Sequence, residues 1–165
     1  MTNAIIGGAI AAVMGAVTAL CIERYREKAR QLAIVEALII ETAENLTICK
    51  TPITRKMWWW APYKLGAYHA YKGQFFFLSE EVRIQLTAAA FTMEGANTGM
   101  QIHVSRVPYT RLVKEKPLPL APQLIEQLEF VNEELRKWRW KHRGFVARLR
   151  NFISKIRKNS KLKHT

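Results

Sequence analysis

The sequence predicts an all-α protein: an N-terminal transmembrane helix continuing into a cytosolic antiparallel bundle of three long helices plus short helical pieces. Three observations carry this. Ala4 to Ile22 is uncharged and almost wholly apolar, about the length a helix needs to cross a hydrocarbon core of roughly 30 Å. Apolar residues recur at three- and four-residue steps through long segments, and no strand pattern of any length competes. All six prolines fall between those segments and none within them.

The opening stretch has only Thr18 and Cys21 as polar side chains. A soluble helix would be polar on one face, whereas a stretch apolar all round favours lipid. A cleaved signal peptide wants a basic residue before its apolar core, and Met1-Thr2-Asn3 has none. Leu20, just before Cys21, fits lipoprotein processing poorly. Residues 1–22 are therefore expected to be a retained anchor. Arg24, Arg26, Lys28 and Arg30 follow it, against Glu23 and Glu27. That bias places the N-terminus outside and the bulk of the chain on the cytoplasmic side of the cell's inner membrane, as a single-pass protein. Gly7, Ala11, Gly15 and Ala19 recur every fourth residue, a spacing that lets helices approach closely in lipid; plain abundance of Gly and Ala in spans gives the same pattern.

Residues 23–106 form the next block. Leu32, Val35, Ile39, Leu46 and Cys49 continue a helical stripe, so the anchor and first cytosolic helix read as one helix ended by Thr51-Pro52. An aromatic-rich turn follows. Trp58, Trp59 and Trp60 cannot all face one core, since neighbouring side chains diverge on helix and strand alike, so an exposed aromatic contact is expected there. Ser79 with Glu80 and Glu81 reads as a helix start. Val82, Leu86, Ala89, Met93, Ala96 and Met100 then form a stripe to about Arg106. The small residues Ala88, Ala89, Ala90, Gly95 and Gly99 suggest a close neighbour. Residues 107–122 are a proline-rich linker. Residues 123–157 carry a heptad seam through Leu124, Leu128, Val131, Leu135, Trp138, His142, Phe145, Leu149, Phe152 and Ile156, and 158–165 read as a basic disordered tail.

The composition removes whole classes of site. The chain has no Asp and only two cysteines, Cys21 and Cys49, which leaves no disulfide framework, zinc spacing, Asp-led calcium loop or Ser–His–Asp triad. Glu41, Glu44, Glu94 and His103 lack the Glu-x-x-His spacing of a di-iron bundle. Cys49 with His69 reads as core rather than a thiol pair, and the glycines lie in helices rather than after a strand. No catalytic, cofactor or metal residue and no small-molecule substrate is expected. Glu41 and Asn45 lie one turn apart, with Asn97 on the next helix, and would form a buried polar bridge if they faced each other. A register-setting role is the favoured reading, and a ligand site the lesser.

An anchor running into a helix with Glu41-x-x-x-Asn45, an aromatic-rich turn and a helix reaching Asn97 resembles uncharacterised bacterial single-pass membrane proteins with a cytosolic helical domain. The resemblance spans about residues 4–105 and implies no activity.

The net charge of +13 is very uneven, with no acid and twelve Lys or Arg from Arg136 onward. Arg136, Lys137, Arg139, Lys141, Arg143, Arg148, Arg150, Lys155, Arg157 and Lys158 are the candidate anion-binding residues. Anionic lipid, nucleic acid and an acidic protein all match such charge. Consecutive antiparallel helices would carry the basic end outward, far from lipid. The expected function is a non-enzymatic, membrane-anchored interaction protein: a scaffold, accessory subunit or sensor with a protein partner or a second copy of itself. Tethered binding of nucleic acid or anionic lipid through the basic helix is the alternative, and a holin-type permeabilising role stands behind both.

Overall fold

The computed structural model describes residues 2–50, 62–106 and 121–161, with side chains at 8–9, 12–50, 62–99, 101, 122–148 and 150–153. Trp58, Trp59 and Trp60, most of the proline-rich linker and residues 162–165 lie outside this set. The elements are α1 (Thr2–Lys50), α2 (Gly66–Tyr71) leading into a 3-10 turn (Lys72–Phe77), α3 (Glu80–Arg106) and α4 (Ala121–Lys161). There is no strand among the described residues. Two compact units result, one of Ile34–Lys137 and one of Met1–Ala33 with Trp138–Thr165.

α1 is unbroken, as a segment without proline should be. The expected span, Ala4–Ile22, is part of it. Among the described residues, however, no helix is long and apolar enough to cross a membrane. The side chains of Ala4 to Gly7, Ile10 and Ala11 fall outside the described ones.

In the Ile34–Lys137 unit each long helix buries one face. α1 contributes Ile34, Val35, Leu38, Ile39, Thr42 and Asn45, α3 contributes Val82, Leu86, Ala89, Ala90 and Met93, and α4 contributes Leu124, Leu128, Val131 and Leu135. Full burial of one such aliphatic side chain is worth about 1.5–3 kcal/mol. The α1 face is rotated from the expected stripe: Leu38, Thr42 and Asn45 are buried, while Leu46 and Cys49 are only half-buried. Polar Thr42 and Asn45 masked this in the pattern of apolar residues. Ser79 caps α3, its Oγ accepting from Val82 N at 3.4 Å.

The helix directions depart from a simple alternation. Lys50 pairs with Glu129 and Thr42 with Asn132, so α4 runs antiparallel to α1. α3, by contrast, brings Ala89 and Met93 to the level of Leu46 and Cys49. Its earlier buried residues, Val82 and Leu86, must then lie lower, beside the α1 residues before Leu46. α3 therefore runs with α1, and residues 62–79 form the return limb. Gly95 and Gly99 do not mark a close neighbour, since a Cβ at either would meet nothing within 4 Å. Gly95→Ala is accordingly expected to raise stability by about 1 kcal/mol, through helix propensity alone, as a higher denaturation midpoint at unchanged m-value.

The unit of Met1–Ala33 and Trp138–Thr165 pairs the first part of α1 with the last part of α4. Half-burial follows one stripe on each: Thr18, Cys21, Tyr25, Lys28 and Leu32 on α1, and Trp138, His142, Val146 and Ile153 on α4. The Lys28 ammonium lies 5.8 Å from the Trp138 ring centre. Lys28 is late in its segment and Trp138 opens the other, so the two are antiparallel. Within this unit the basic half of α4 thus runs back beside the first part of α1 rather than away from it. The heptad seam also drifts. Phe145 and Phe152 remain 45% and 50% exposed, while Val146 and Ile153 turn inward, the slippage a 3.6-residue turn imposes on a seven-residue repeat. The side chains of Leu149 and Ile156 lie outside the described ones. Helix continues to Lys161, past the expected end at residue 157, because no Gly or Pro intervenes and Lys and Arg suit a helix C-terminus.

Candidate functional site

The chain after α1 must lie along the bundle, and at Tyr63 and Lys64 it does so without helix or sheet. Packing such backbone against helices would leave its N–H and C=O groups without partners, at a cost comparable to lost hydrogen bonds. Two asparagines solve this. Asn45 donates from Nδ2 to Lys64 O at 2.7 Å, and its Oδ1 accepts from Lys64 N at 2.8 Å. Asn97 donates to Tyr63 O at 3.0 Å and accepts from Tyr63 N at 2.9 Å. A planar amide presents donor and acceptor side by side, as a strand edge does.

Glu41 completes the clamp. Leu65, at the N-cap of α2, offers no side-chain hydrogen bond, so the first amides of that helix need an acceptor. The two Glu41 carboxylate oxygens take them, from Ala67 N at 2.6 Å and Tyr68 N at 3.0 Å. Glu41, Asn45 and Asn97 do converge, then, but on the segment between the helices rather than on one another. Their acceptors and donors are taken up by backbone. The geometry is a structural clamp on the backbone of residues 63–68.

A second polar link joins α1 to α4. Asn132 donates to Thr42 Oγ1 at 2.6 Å and to Ile39 O at 3.1 Å, while Arg136 Nε donates to Asn132 Oδ1 at 2.7 Å. The pattern of apolar residues passed over it; a polar Asn132 beside Val131 in an otherwise apolar seam was the available signal.

Beside the clamp, the Cys49 thiol donates to the Tyr63 phenol oxygen at 3.6 Å. Burial pushes the Cys49 thiol up from its ordinary 9.0, against a smaller opposing pull from Tyr63. Burial, and then the neighbouring thiol, push the Tyr63 phenol far above its ordinary 10.0. Both groups thus hold their protons longer folded than unfolded. The unfolded chain binds fewer protons above about pH 9, so stability falls as pH rises there. Cys49→Ala should flatten the onset of that decline, measured as denaturation midpoint against pH.

Among the described residues no group of three His, Cys, Asp or Glu side chains could hold a metal ion. No family model, curated protein or solved structure matches the chain.

Two surfaces stand out. On α1, Val13, Met14, Val17 and Leu20 are 51–63% exposed, and Gly15 and Ala19 of the small-residue row are exposed beside them. Gly7 and Ala11 have no described side chain. On α4 the candidate cations differ in availability. Arg136 is tied to Asn132, and Lys137 lies 2.8 Å from both Glu133 and Glu134. Those contacts hold Lys137 above its ordinary value and Glu133 below its own. Arg148 is exposed, and its Nε donates to Gly144 O at 3.3 Å. Lys141, Arg143 and Arg150 are exposed and Arg139 is half-buried. The side chains of Lys155, Arg157 and Lys158 lie outside the described ones.

Proposed function

We propose that the chain is a membrane-anchored helical interaction protein: its apolar start lodges in a bilayer, and the Ile34–Lys137 bundle is presented on the cytoplasmic side as a scaffold, accessory subunit or sensor. The observation that carries this is the exposed run of Val13, Met14, Val17 and Leu20. A contiguous apolar surface of this kind calls for lipid or another protein to cover it. The uncharged sequence from Ala4 to Ile22 and the cations that follow it support lipid and this orientation. The bundle adds a surface of its own: Ile84 and Phe91, seven residues apart on one face of α3, are 58% and 77% exposed. That suits a protein partner or a second copy.

Alkaline carbonate extraction of membranes from expressing cells tests the anchor. The wild-type chain should stay with the membranes. Val13→Lys/Val17→Lys should release it, because each charge in mid-span costs about 2.5–3.5 kcal/mol of insertion. Recovery of the wild-type chain in the aqueous fraction would remove the proposal.

A further inference from the structure

The last part of α4 carries a pattern that anchoring alone does not use. Lys141, Phe145, Arg148 and Phe152 follow one another at four-, three- and four-residue steps, which puts them in one row on the helix. Lys141 and Arg148 are exposed, and the two rings are 45% and 50% exposed. The row alternates cation and ring along its length. Arg143 and Arg150 are exposed about half a turn away round the helix, and from Arg136 onward the chain has no acid to neutralise the charge. In the same compact unit, the α1 segment exposes Val13, Met14, Val17 and Leu20.

We propose that this row binds the surface of an anionic bilayer, the rings entering the headgroup boundary and Lys141 and Arg148 meeting lipid phosphates. The inference rests on the membrane reading above. Charge complementarity fits phosphate-bearing partners in general, but the rings and the exposed α1 residues of the same unit select among them. A bilayer provides an apolar layer directly beneath its phosphates, and a basic helix with aromatic residues on one side lies in that boundary. A nucleic acid offers phosphates with no apolar phase for Val13, Met14, Val17 and Leu20.

The test is residue-resolved. The full chain is mixed with vesicles of phosphatidylcholine alone, or of phosphatidylcholine with phosphatidylglycerol, and treated with a water-soluble amine-acylating reagent. Mass spectrometry reads modification at Lys141 against Lys72, an exposed residue of the bundle. Lys141 should be protected about ten-fold or more with phosphatidylglycerol, with little protection by phosphatidylcholine alone, loss in high salt, and no change at Lys72. Arg148→Gln should weaken binding to the phosphatidylglycerol vesicles about five-fold, read as loss of most of the Lys141 protection. Equal labelling of Lys141 with both vesicles would overturn the inference, as would stronger protection by duplex DNA than by anionic vesicles. Flotation of the same samples separates the two proposals. A chain that floats with phosphatidylcholine while Lys141 stays open keeps its anchor and loses this contact. A chain that floats only with phosphatidylglycerol, with Lys141 covered, keeps this contact and loses the anchor.

Discussion

Asn45→Ala is expected to lower the stability of the folded chain by about 3 kcal/mol, read as a fall in denaturation midpoint. Asn45 is 0% exposed and makes two hydrogen bonds to the Lys64 backbone. Alanine removes both partners at once, and each backbone group left without one costs about 1–3 kcal/mol. Asn45→Asp discriminates this mechanism from simple loss of packing. It keeps the side-chain volume and the acceptor for Lys64 N but has no amide to donate to Lys64 O, so it should destabilise nearly as much. Asn97→Ala removes an equivalent pair at a half-buried site, where water can replace part of the loss, and a smaller effect is expected. An Asn45→Ala variant as stable as wild type would show that the clamp contributes nothing.

Leu38→Ala should cost about 3–4 kcal/mol. Leu38 is 0% exposed, and it lies at the centre of the α1 face that α3 and α4 cover. Truncation there loses the transfer free energy of the side chain and leaves a cavity whose walls are helices on several sides, a site that relaxes poorly. Leu38→Met, which roughly conserves volume, should cost less than about 1.5 kcal/mol. The contrast between the two, measured by chemical denaturation at one m-value, separates cavity formation from any general sensitivity of α1.

Much of the helical architecture was legible in the residues. The uninterrupted run to Lys50, the Ser79 cap and the Leu124–Leu135 seam announced their helices through local chemistry that tertiary contacts did not override. Direction was not legible. Whether residues 62–79 form a tight turn or a full return limb depends on which backbone groups are satisfied by which side chains, and hydrophobic periodicity carries no such information. The same limit explains the clamp. Glu41, Asn45 and Asn97 were recognisable as buried polar residues on facing helices, but their shared target was the intervening backbone, whose needs have no sequence signature. Asn132 and Thr42 escaped because an apolar pattern passes over polar residues that pair with one another.

The link between Asn132 and Thr42 has a consequence for how this chain is made. Its two ends are separated by 90 residues, whereas Asn45 reaches its backbone partner across 19. A ribosome delivers the shorter closure first, so α1, the return limb and α3 can associate while the last helix is still unsynthesised. Until it emerges, the apolar faces of Leu38, Ala89 and Met93 lack their lid, and the Ile39 carbonyl lacks its Asn132 donor. A chain truncated before Ala121 is therefore an aggregation-prone intermediate rather than a smaller version of the protein.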